Sequence, residues 1–242
     1  MQLSIKKFFQ RATNIVFPAK CVICNVMTSE GLALCSECWK KIDFITDPNC
    51  ELCGFPFDFD AGEGVFCAEC NQAPPYFDKA LSLFKYSKHS KALIFKLKYH
   101  DQLHVAQFLA RLIADKLQKL YEYRVVMSVP LHGKRIRKRL YNQSAVIGSH
   151  VAKLTRLEFF PNALIKKRHD TPQNQLSRRQ RKKNVLNSFD IADEDKKFIE
   201  GRNIILIDDV YTTGSTANEC SKTLKKAGCG KILVVTAARV TL

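Results

Sequence analysis

The stretch 204–216 holds the residues whose types and order are best suited to chemistry. It opens with four aliphatic residues, 204–207, which is typical of a strand buried on both faces of a parallel sheet. Asp208 and Asp209 follow, at the point where such a strand is expected to end. Small residues, most of them with hydroxyl groups, then lead into a helical pattern that Gly228 closes at its C′ position. The predicted unit is a strand, an acidic pair, a hydroxyl-rich turn and a helix.

The turn after the acidic pair has the composition of a phosphate site. A helix start offers backbone N–H groups without internal partners, and Gly214 lets the backbone approach a ligand closely. Further donors would be the hydroxyl groups of Thr212, Thr213, Ser215 and Thr216. The two aspartates would repel a phosphate, so they suit sugar hydroxyls or a magnesium ion. A ribose 5-phosphate ligand is therefore predicted, against the alternative of an ordinary strand-to-helix turn with a capping threonine. The stretch lacks Gly-x-x-x-x-Gly-Lys, which disfavours a P-loop ATPase.

This run resembles the signature of the type I phosphoribosyltransferases, which bind phosphoribosyl pyrophosphate with magnesium there. The resemblance implies an α/β fold with a doubly wound, mostly parallel sheet and Mg²⁺ as a cofactor. The aspartates are expected to hold the ribose hydroxyls and the turn 212–216 to hold the 5-phosphate. The substrate-binding residues that it implies in this run are Asp208, Asp209, Val210, Tyr211, Thr212, Thr213, Gly214, Ser215 and Thr216.

Two short basic segments account for most of the formal net charge of +16: residues 134–139 carry +5 and residues 166–183 carry +7. The first follows a predicted strand, where the resembling family holds pyrophosphate, and the second occupies the place of its mobile loop. Solvated basic loops are the alternative. The resemblance adds His132, Gly133, Arg135, Asn142 and Gln143 as substrate-binding residues. It adds Arg168, Arg178 and Arg179 as catalytic residues.

Eight of the ten cysteines form four Cys-x-x-Cys pairs: Cys21 and Cys24, Cys35 and Cys38, Cys50 and Cys53, Cys67 and Cys70. One such turn presents two thiolates to an ion, and two turns complete a tetrahedron that favours zinc. Two structural zinc ions are predicted, with redox dithiols as the disfavoured rival. The pairs could combine sequentially or in a crossed arrangement. Cys220 and Cys229 lie apart and are most simply reduced thiols.

The elements that must position these residues follow from hydrophobic periodicity and turn signals. Helices are predicted over 1–20, 90–99, 102–121, 142–155 and 216–227. Strands are predicted over 79–86, 125–129, 163–166, 204–207 and 231–238. Pro74-Pro75 marks a boundary between a zinc-binding module, 1–75, and a phosphoribosyltransferase-like domain, 76–242. Aromatic residues that could be the core of the module or an exposed contact surface are Trp39, Phe55, Phe57 and Phe59.

The order of the motifs along nearly the whole chain resembles the ComF family (ComFC and GntX-like proteins). The motifs are the cysteine pairs, Pro130-Leu131-His132, Asn142-Gln143, the stretch 168–184 and the run 204–216. That family is tied to natural competence, transformation and DNA uptake. No apolar run reaches the roughly 18 residues of a membrane span, and the apolar core 14–19 is too short for a secretory signal, so a cytoplasmic protein is expected.

Three functions remain open from the sequence. The first is a phosphoribosyltransferase with an unidentified acceptor. The second is a non-catalytic competence protein that binds single-stranded DNA on its basic segments, although the loops that contain them hold only Tyr141 as an aromatic residue for base stacking. The third is a scaffold whose zinc module docks a partner, for which competence helicases and DNA-processing proteins are candidates.

Overall fold

The computed structural model describes residues 19–60, 62–99, 102–118, 120–131, 141–167 and 187–241. Within these residues the strands are β1 Lys79–Lys85, β2 Val125–Ser128, β3 Glu158–Phe160, β4 Leu164–Lys166, β5 Phe189–Ile191, β6 Ile204–Tyr211 and β7 Ile232–Arg239. The helices are α1 Ser36–Lys40, α2 Ala68–Gln72, α3 Ser90–Tyr99, α4 Leu103–Leu117, α5 Gln143–Thr155, α6 Lys196–Ile199 and α7 Ser215–Lys226. None of the helices in these ranges is long and apolar enough to cross a membrane.

Five of the strands form one parallel sheet in the order β1-β7-β6-β2-β3. Strand β6 is central, and its first four residues are fully buried. Its side chains alternate between two cores, as the two-residue repeat of a strand requires. Ile205 and Ile207 face the core formed with α3, α4 and α5, whereas Ile204 and Leu206 face α7 and the β4–β5 pair. The predicted parallel α/β class is therefore confirmed.

The expectation that the central strand ends at the acidic pair is wrong, because β6 continues to Tyr211. On one side β6 remains paired with β7 as far as Tyr211 opposite Arg239. On the other side β2 ends at Ser128 opposite Ile207. Asp208 and Asp209 therefore lie in a strand segment that is paired on one side and open on the other.

The predicted segment 163–166 is a strand, but it lies outside the main sheet. Strand β4 pairs antiparallel with β5, and the two cover the face of the main sheet that also packs against α7. The edge strand β3, Glu158–Phe160, was not predicted, because a three-residue strand gives too few positions to show a period. The predicted helix over 1–20 lies mostly outside the described residues.

The cysteine-rich segment packs along the free edge of strand β1. Ala80 N–H donates to the Leu52 carbonyl at 2.7 Å, Ile45 N–H donates to Leu83 at 2.9 Å, and Lys85 N–H donates to Asp43 at 2.8 Å. An uncovered edge strand is a template for aggregation, so this packing protects the sheet. The domain boundary at residue 75 stays a prediction.

The aromatic residues of this segment divide between the two expected roles. Trp39 and Phe59 are 47% and 67% exposed. Phe55 and Phe57 are partly buried against the core that contains the second set of cysteines. The segment therefore has both an internal packing surface and exposed rings.

Candidate functional site

The acidic pair is anchored by polar contacts from two directions. Asp208 Oδ1 accepts a hydrogen bond from Ser144 Oγ at 3.0 Å and another from the Asp209 N–H at 2.8 Å. Burial and the neighbouring Asp209 carboxylate raise the pKa of Asp208 to about 7, although these hydrogen bonds and Lys98 oppose the rise. The Asp208 carboxyl is therefore poised to change its charge near neutral pH.

A lysine from helix α3 forms an ion pair with one of the two aspartates. Lys98 Nζ lies 2.7 Å from Asp209 Oδ2, and both side chains are largely buried. Lys98 was not predicted as a site residue, because a single lysine in an amphipathic helix carries no sequence signal of its own. Its position in the last turn of α3 is the only feature that could have drawn attention to it.

Asn142 and Gln143 stand where helix α5 begins, close to the acidic pair. Asn142 is the N-cap, and its Oδ1 accepts from the Ser144 N–H at 3.1 Å while its Nδ2 donates to the Val129 carbonyl at 3.0 Å. Gln143 is buried, and its Nε2 donates to the Tyr141 carbonyl at 3.4 Å. The Asn142 cap holds the first turn of α5 so that Ser144 reaches Asp208.

The hydroxyl-rich turn has the backbone that its composition predicts. Gly214 is the N-cap of α7 and has φ +70°, a backbone conformation that residues other than glycine rarely adopt. Thr213 Oγ1 and Ser215 Oγ are hydrogen bonded at 2.8 Å. Val210 and Thr216 are half-buried, whereas Thr212 is exposed. The turn brings together a helix start, two linked hydroxyls and a glycine beside the acidic pair.

Six residues expected at the site lie outside the described residues. They are His132, Gly133, Arg135, Arg168, Arg178 and Arg179. Their assignment as pyrophosphate-binding and catalytic residues stays a prediction. Of the two predicted sides of the site, the structure therefore describes the ribose 5-phosphate side.

The eight paired cysteines form two separate sites, each built from sequential pairs. The first four-cysteine site contains Cys21, Cys24, Cys35 and Cys38, and the second four-cysteine site contains Cys50, Cys53, Cys67 and Cys70. Within each site all four sulfur atoms lie within 4.8 Å of one another. The structure thus selects the sequential arrangement over the crossed one.

The geometry of both sites fits tetrahedral zinc. Cys24 Sγ and Cys35 Sγ are 3.6 Å apart, and Cys53 Sγ and Cys67 Sγ are 3.7 Å apart. Four sulfurs about 2.3 Å from one ion would be ~3.8 Å from each other. Two structural zinc ions therefore fit these residues.

In each four-cysteine site, backbone N–H groups favour the thiolate form of one cysteine, Cys21 in the first site and Cys50 in the second. Cys67 N–H and Cys53 N–H donate to Cys50 Sγ at 3.3 Å and 3.5 Å. Burial opposes ionisation, but the backbone donors outweigh it and lower the pKa of Cys50 to about 7 and that of Cys21 to about 6.

A parallel α/β domain combined with two four-cysteine sites that fit zinc is the class that this geometry defines. The double zinc ribbon domain family matches residues 12–71. The chain is 31% identical to competence protein F of Haemophilus influenzae, over 92% of this chain and 98% of that protein. It is 28% identical to the DNA utilization protein YhgH of Escherichia coli K12 (91% and 96%) and 25% identical to the competence protein ComFC of Bacillus subtilis (86% and 89%). The chain belongs to the family of competence protein F, the ComF family.

Solved structures with a similar chain path include two phosphoribosyltransferases. The hypoxanthine phosphoribosyltransferase of Staphylococcus aureus gives a TM-score of 0.37 at 17% identity, over 54% of this chain and 61% of that one. The adenine phosphoribosyl transferase of Trypanosoma brucei gives a TM-score of 0.38 at 12% identity, over 69% and 85%. The assignment to the parallel α/β class rests on the sheet order of the described strands and not on these similarities.

Proposed function

We propose that this chain binds phosphoribosyl pyrophosphate together with Mg²⁺ at the carboxyl end of β6. One observation carries the proposal. The acidic pair lies in the part of β6 that β2 leaves unpaired, and a helix start that contains a glycine follows directly after this strand. Parallel α/β sheets bind ligands at the carboxyl ends of their strands. In this arrangement Asp208 and Asp209 bind the ribose hydroxyls, and the turn 212–216 binds the 5-phosphate.

The pyrophosphate would lie toward the two basic segments. Lys98 adds a described cation at this end of the sheet, since its ammonium group already contacts Asp209 at 2.7 Å. Arg135, Arg168, Arg178 and Arg179 are the predicted cations that stabilise the leaving pyrophosphate. Mg²⁺ would arrive with the ligand and neutralise part of its charge.

If the chain is an enzyme, the reaction is pentosyl transfer. A nucleophile forms a bond to C1 of the ribose as the C1–O bond to pyrophosphate breaks, and the bonding electrons leave with the pyrophosphate. The oxocarbenium-like transition state needs positioning and charge stabilisation more than covalent help from the protein. A carboxylate pair on the diol and cations on the leaving group would supply both.

We propose a role in natural competence or DNA use, inside the cytoplasm, because the relatives are named as competence and DNA utilization proteins. Zinc-bound thiolates suit a reducing compartment. The second candidate function is binding of single-stranded DNA without catalysis. The observation that favours it is the concentration of +12 of the formal charge of +16 in residues 134–139 and 166–183.

Calorimetry with phosphoribosyl pyrophosphate and with a single-stranded oligonucleotide, each with and without Mg²⁺, separates the two functions. The proposal expects Mg²⁺-dependent binding of phosphoribosyl pyrophosphate. Binding of the oligonucleotide alone, weakening steeply with salt, would favour the second function. An absence of phosphoribosyl pyrophosphate binding by folded, zinc-loaded protein would contradict the first.

A further inference from the structure

Arg239, the last residue of β7, is a buried cation in contact with the second four-cysteine site. Its side chain is 5% exposed. Its Nη1 donates to the Cys53 carbonyl at 2.6 Å, and its Nη2 lies 3.4 Å from Cys53 Sγ as a hydrogen-bond donor. Arg239 therefore contacts both the backbone and the side chain of a predicted zinc ligand.

A buried guanidinium needs a compensating negative charge. Among the residues that the structure describes, no carboxylate forms an ion pair with Arg239. Four thiolates on one Zn²⁺ carry a formal charge of about −2. The loaded second four-cysteine site therefore supplies the negative charge that Arg239 lacks elsewhere in the described part of the chain.

The other face of Arg239 contacts the ligand motif. Its guanidinium carbon lies 4.2 Å from the ring centroid of Tyr211 and 5.3 Å from that of Phe55. Tyr211 ends β6 opposite Arg239 and is 9% exposed. A cation desolvated between aromatic rings is held strongly, so the guanidinium and the Tyr211 ring have fixed relative positions.

Tyr211 in turn supports the turn that is proposed to bind phosphate. A Cβ on Gly214 would overlap the hydroxyl and ring carbons of Tyr211, which places this side chain directly against the N-cap of α7. The contacts thus run without a gap from Cys53 through Arg239 and Tyr211 to Gly214.

We propose that Arg239 is a positioning residue through which the second four-cysteine site orders the phosphate-binding turn. This inference rests on the proposed function, because it assumes that the turn binds the 5-phosphate. Zinc fixes Cys53, Cys53 fixes the guanidinium, and the guanidinium fixes the ring beneath the turn. Because coupling between two sites is reciprocal, a ligand in the turn must also strengthen zinc binding at the second four-cysteine site.

The test uses Arg239→Met, which keeps an unbranched side chain and removes the guanidinium. The zinc content should stay at two ions, measured by elemental analysis. Affinity for ribose 5-phosphate, measured by calorimetry, should fall about tenfold, a typical size for coupling between sites. Arg202→Met is the matched control, because Arg202 precedes β6 at the opposite end of the sheet and pairs with Glu158 at 2.6 Å.

The readout that a merely structural role would not change is the release of zinc to a chromogenic chelator. In the wild-type protein, saturating ribose 5-phosphate should slow the release of one of the two ions. That protection should be absent in Arg239→Met and kept in Arg202→Met. A protein with Cys24→Ser and Cys38→Ser, which retains the second four-cysteine site, should still show the protected ion.

If Arg239→Met does not fold, Tyr211→Leu applies the same test, because it removes the ring and leaves the contacts between Arg239 and Cys53. The inference is overturned if either variant folds, binds ribose 5-phosphate as the wild type does and shows the wild-type protection of zinc. That result would leave the proposed function unaffected. Failure of ribose 5-phosphate to bind the wild-type protein would instead contradict the proposed function, and this inference with it.

Discussion

At the scale of single residues, the state of Asp208 connects the proposed ligand site with stability. Its carboxyl is held by Ser144 and by the Asp209 N–H, yet burial and the Asp209 charge raise its pKa to about 7. The folded state therefore favours the protonated form more than the unfolded chain does, whereas ribose hydroxyls are bound more strongly by the carboxylate. Such a conflict between stability and binding is common at functional sites.

The first prediction concerns Asp208→Asn, which cannot ionise and keeps an oxygen for Ser144. A raised folded-state pKa means that stability is greatest below the unfolded pKa and is lost as pH rises toward 7. The variant should therefore be more stable than wild type at pH 8 by up to about 4 kcal/mol, because the pKa shift spans roughly three units, and the difference should shrink toward pH 4. Denaturant unfolding at both values measures this. If wild type and Asp208→Asn have equal free energies of unfolding at pH 8, ionisation of Asp208 does not destabilise the folded protein.

Replacing both aspartates tests the ligand assignment itself. Asp208→Ala with Asp209→Ala should abolish measurable binding of phosphoribosyl pyrophosphate with Mg²⁺. Each hydrogen bond to a charged group is worth about 1.5–3 kcal/mol, so several lost bonds weaken binding by at least about 100-fold. Circular dichroism controls for folding, and Asp193→Ala with Asp195→Ala is a matched control in a turn without buried residues. Undiminished affinity in the folded double variant would remove the acidic pair from the site.

The Lys98 ammonium group lowers the pKa of Asp208, so its removal should change the pH dependence of binding. Affinity for phosphoribosyl pyrophosphate should fall in the wild-type protein as pH drops through about 7, because Asp208 becomes protonated. In Lys98→Met the same fall should occur at a higher pH. Lys91→Met, an exposed position earlier in α3, should leave the profile unchanged. Superimposable profiles for Lys98→Met and wild type would contradict this role.

At the scale of elements, helix α3 links the cysteine-rich segment to the acidic pair. Lys96 Nζ donates to the carbonyls of Val22 and Ile23 at 3.0 Å and 2.7 Å, within the first four-cysteine site. Two residues further on, Lys98 contacts Asp209. Helix α3 therefore contacts both the first four-cysteine site and the acidic pair through residues two positions apart.

The segment 168–186 is the element that should distinguish the two candidate functions. If Arg178 and Arg179 close over pyrophosphate, changing both to alanine should lower affinity for phosphoribosyl pyrophosphate and leave affinity for ribose 5-phosphate intact. If they contact a DNA backbone, oligonucleotide binding should weaken and its salt slope should fall by about one unit per lost contact. We expect the first effect to be large and the second small.

The control for this pair is Arg111→Ala with Arg124→Ala, which removes two exposed arginines beside a cavity at the amino end of β2. It should affect neither ligand. Intact phosphoribosyl pyrophosphate binding combined with lost DNA binding in the Arg178 and Arg179 variant would replace the enzyme hypothesis by the nucleic-acid hypothesis.

At the scale of the whole molecule, the two four-cysteine sites hold the sheet edge and both cores together. Val22 and Ile42 belong to the core on one face of the sheet, whereas Cys50, Cys53 and Cys70 belong to the core on the other face. Three backbone hydrogen bonds join the cysteine-rich segment to β1. Metal binding at these sites would therefore contribute to the folding energy of the α/β domain as well.

Elemental analysis should find two zinc ions per chain. Removing them with a chelator should lower the unfolding temperature sharply and promote aggregation, because the β1 edge and apolar surface of both cores become exposed. Cys220→Ser and Cys229→Ser are the matched controls and should keep both ions, since these cysteines lie outside the two sites. Finding one ion or none in intact protein would overturn the prediction.

The sequence alone determined the motifs that are contiguous in the chain. The strand, acidic pair, turn and helix occupy one short run, and the four Cys-x-x-Cys turns each carry two ligands in four residues, so local rules suffice to interpret them. Only the tertiary structure decided which cysteine pairs combine and that β6 extends past its acidic pair. It also brought Lys98 and Ser144 to the aspartates and Arg239 to Cys53. These contacts join residues from distant parts of the chain, and the packing of helices and strands around the sheet, which no local pattern encodes, sets their distances.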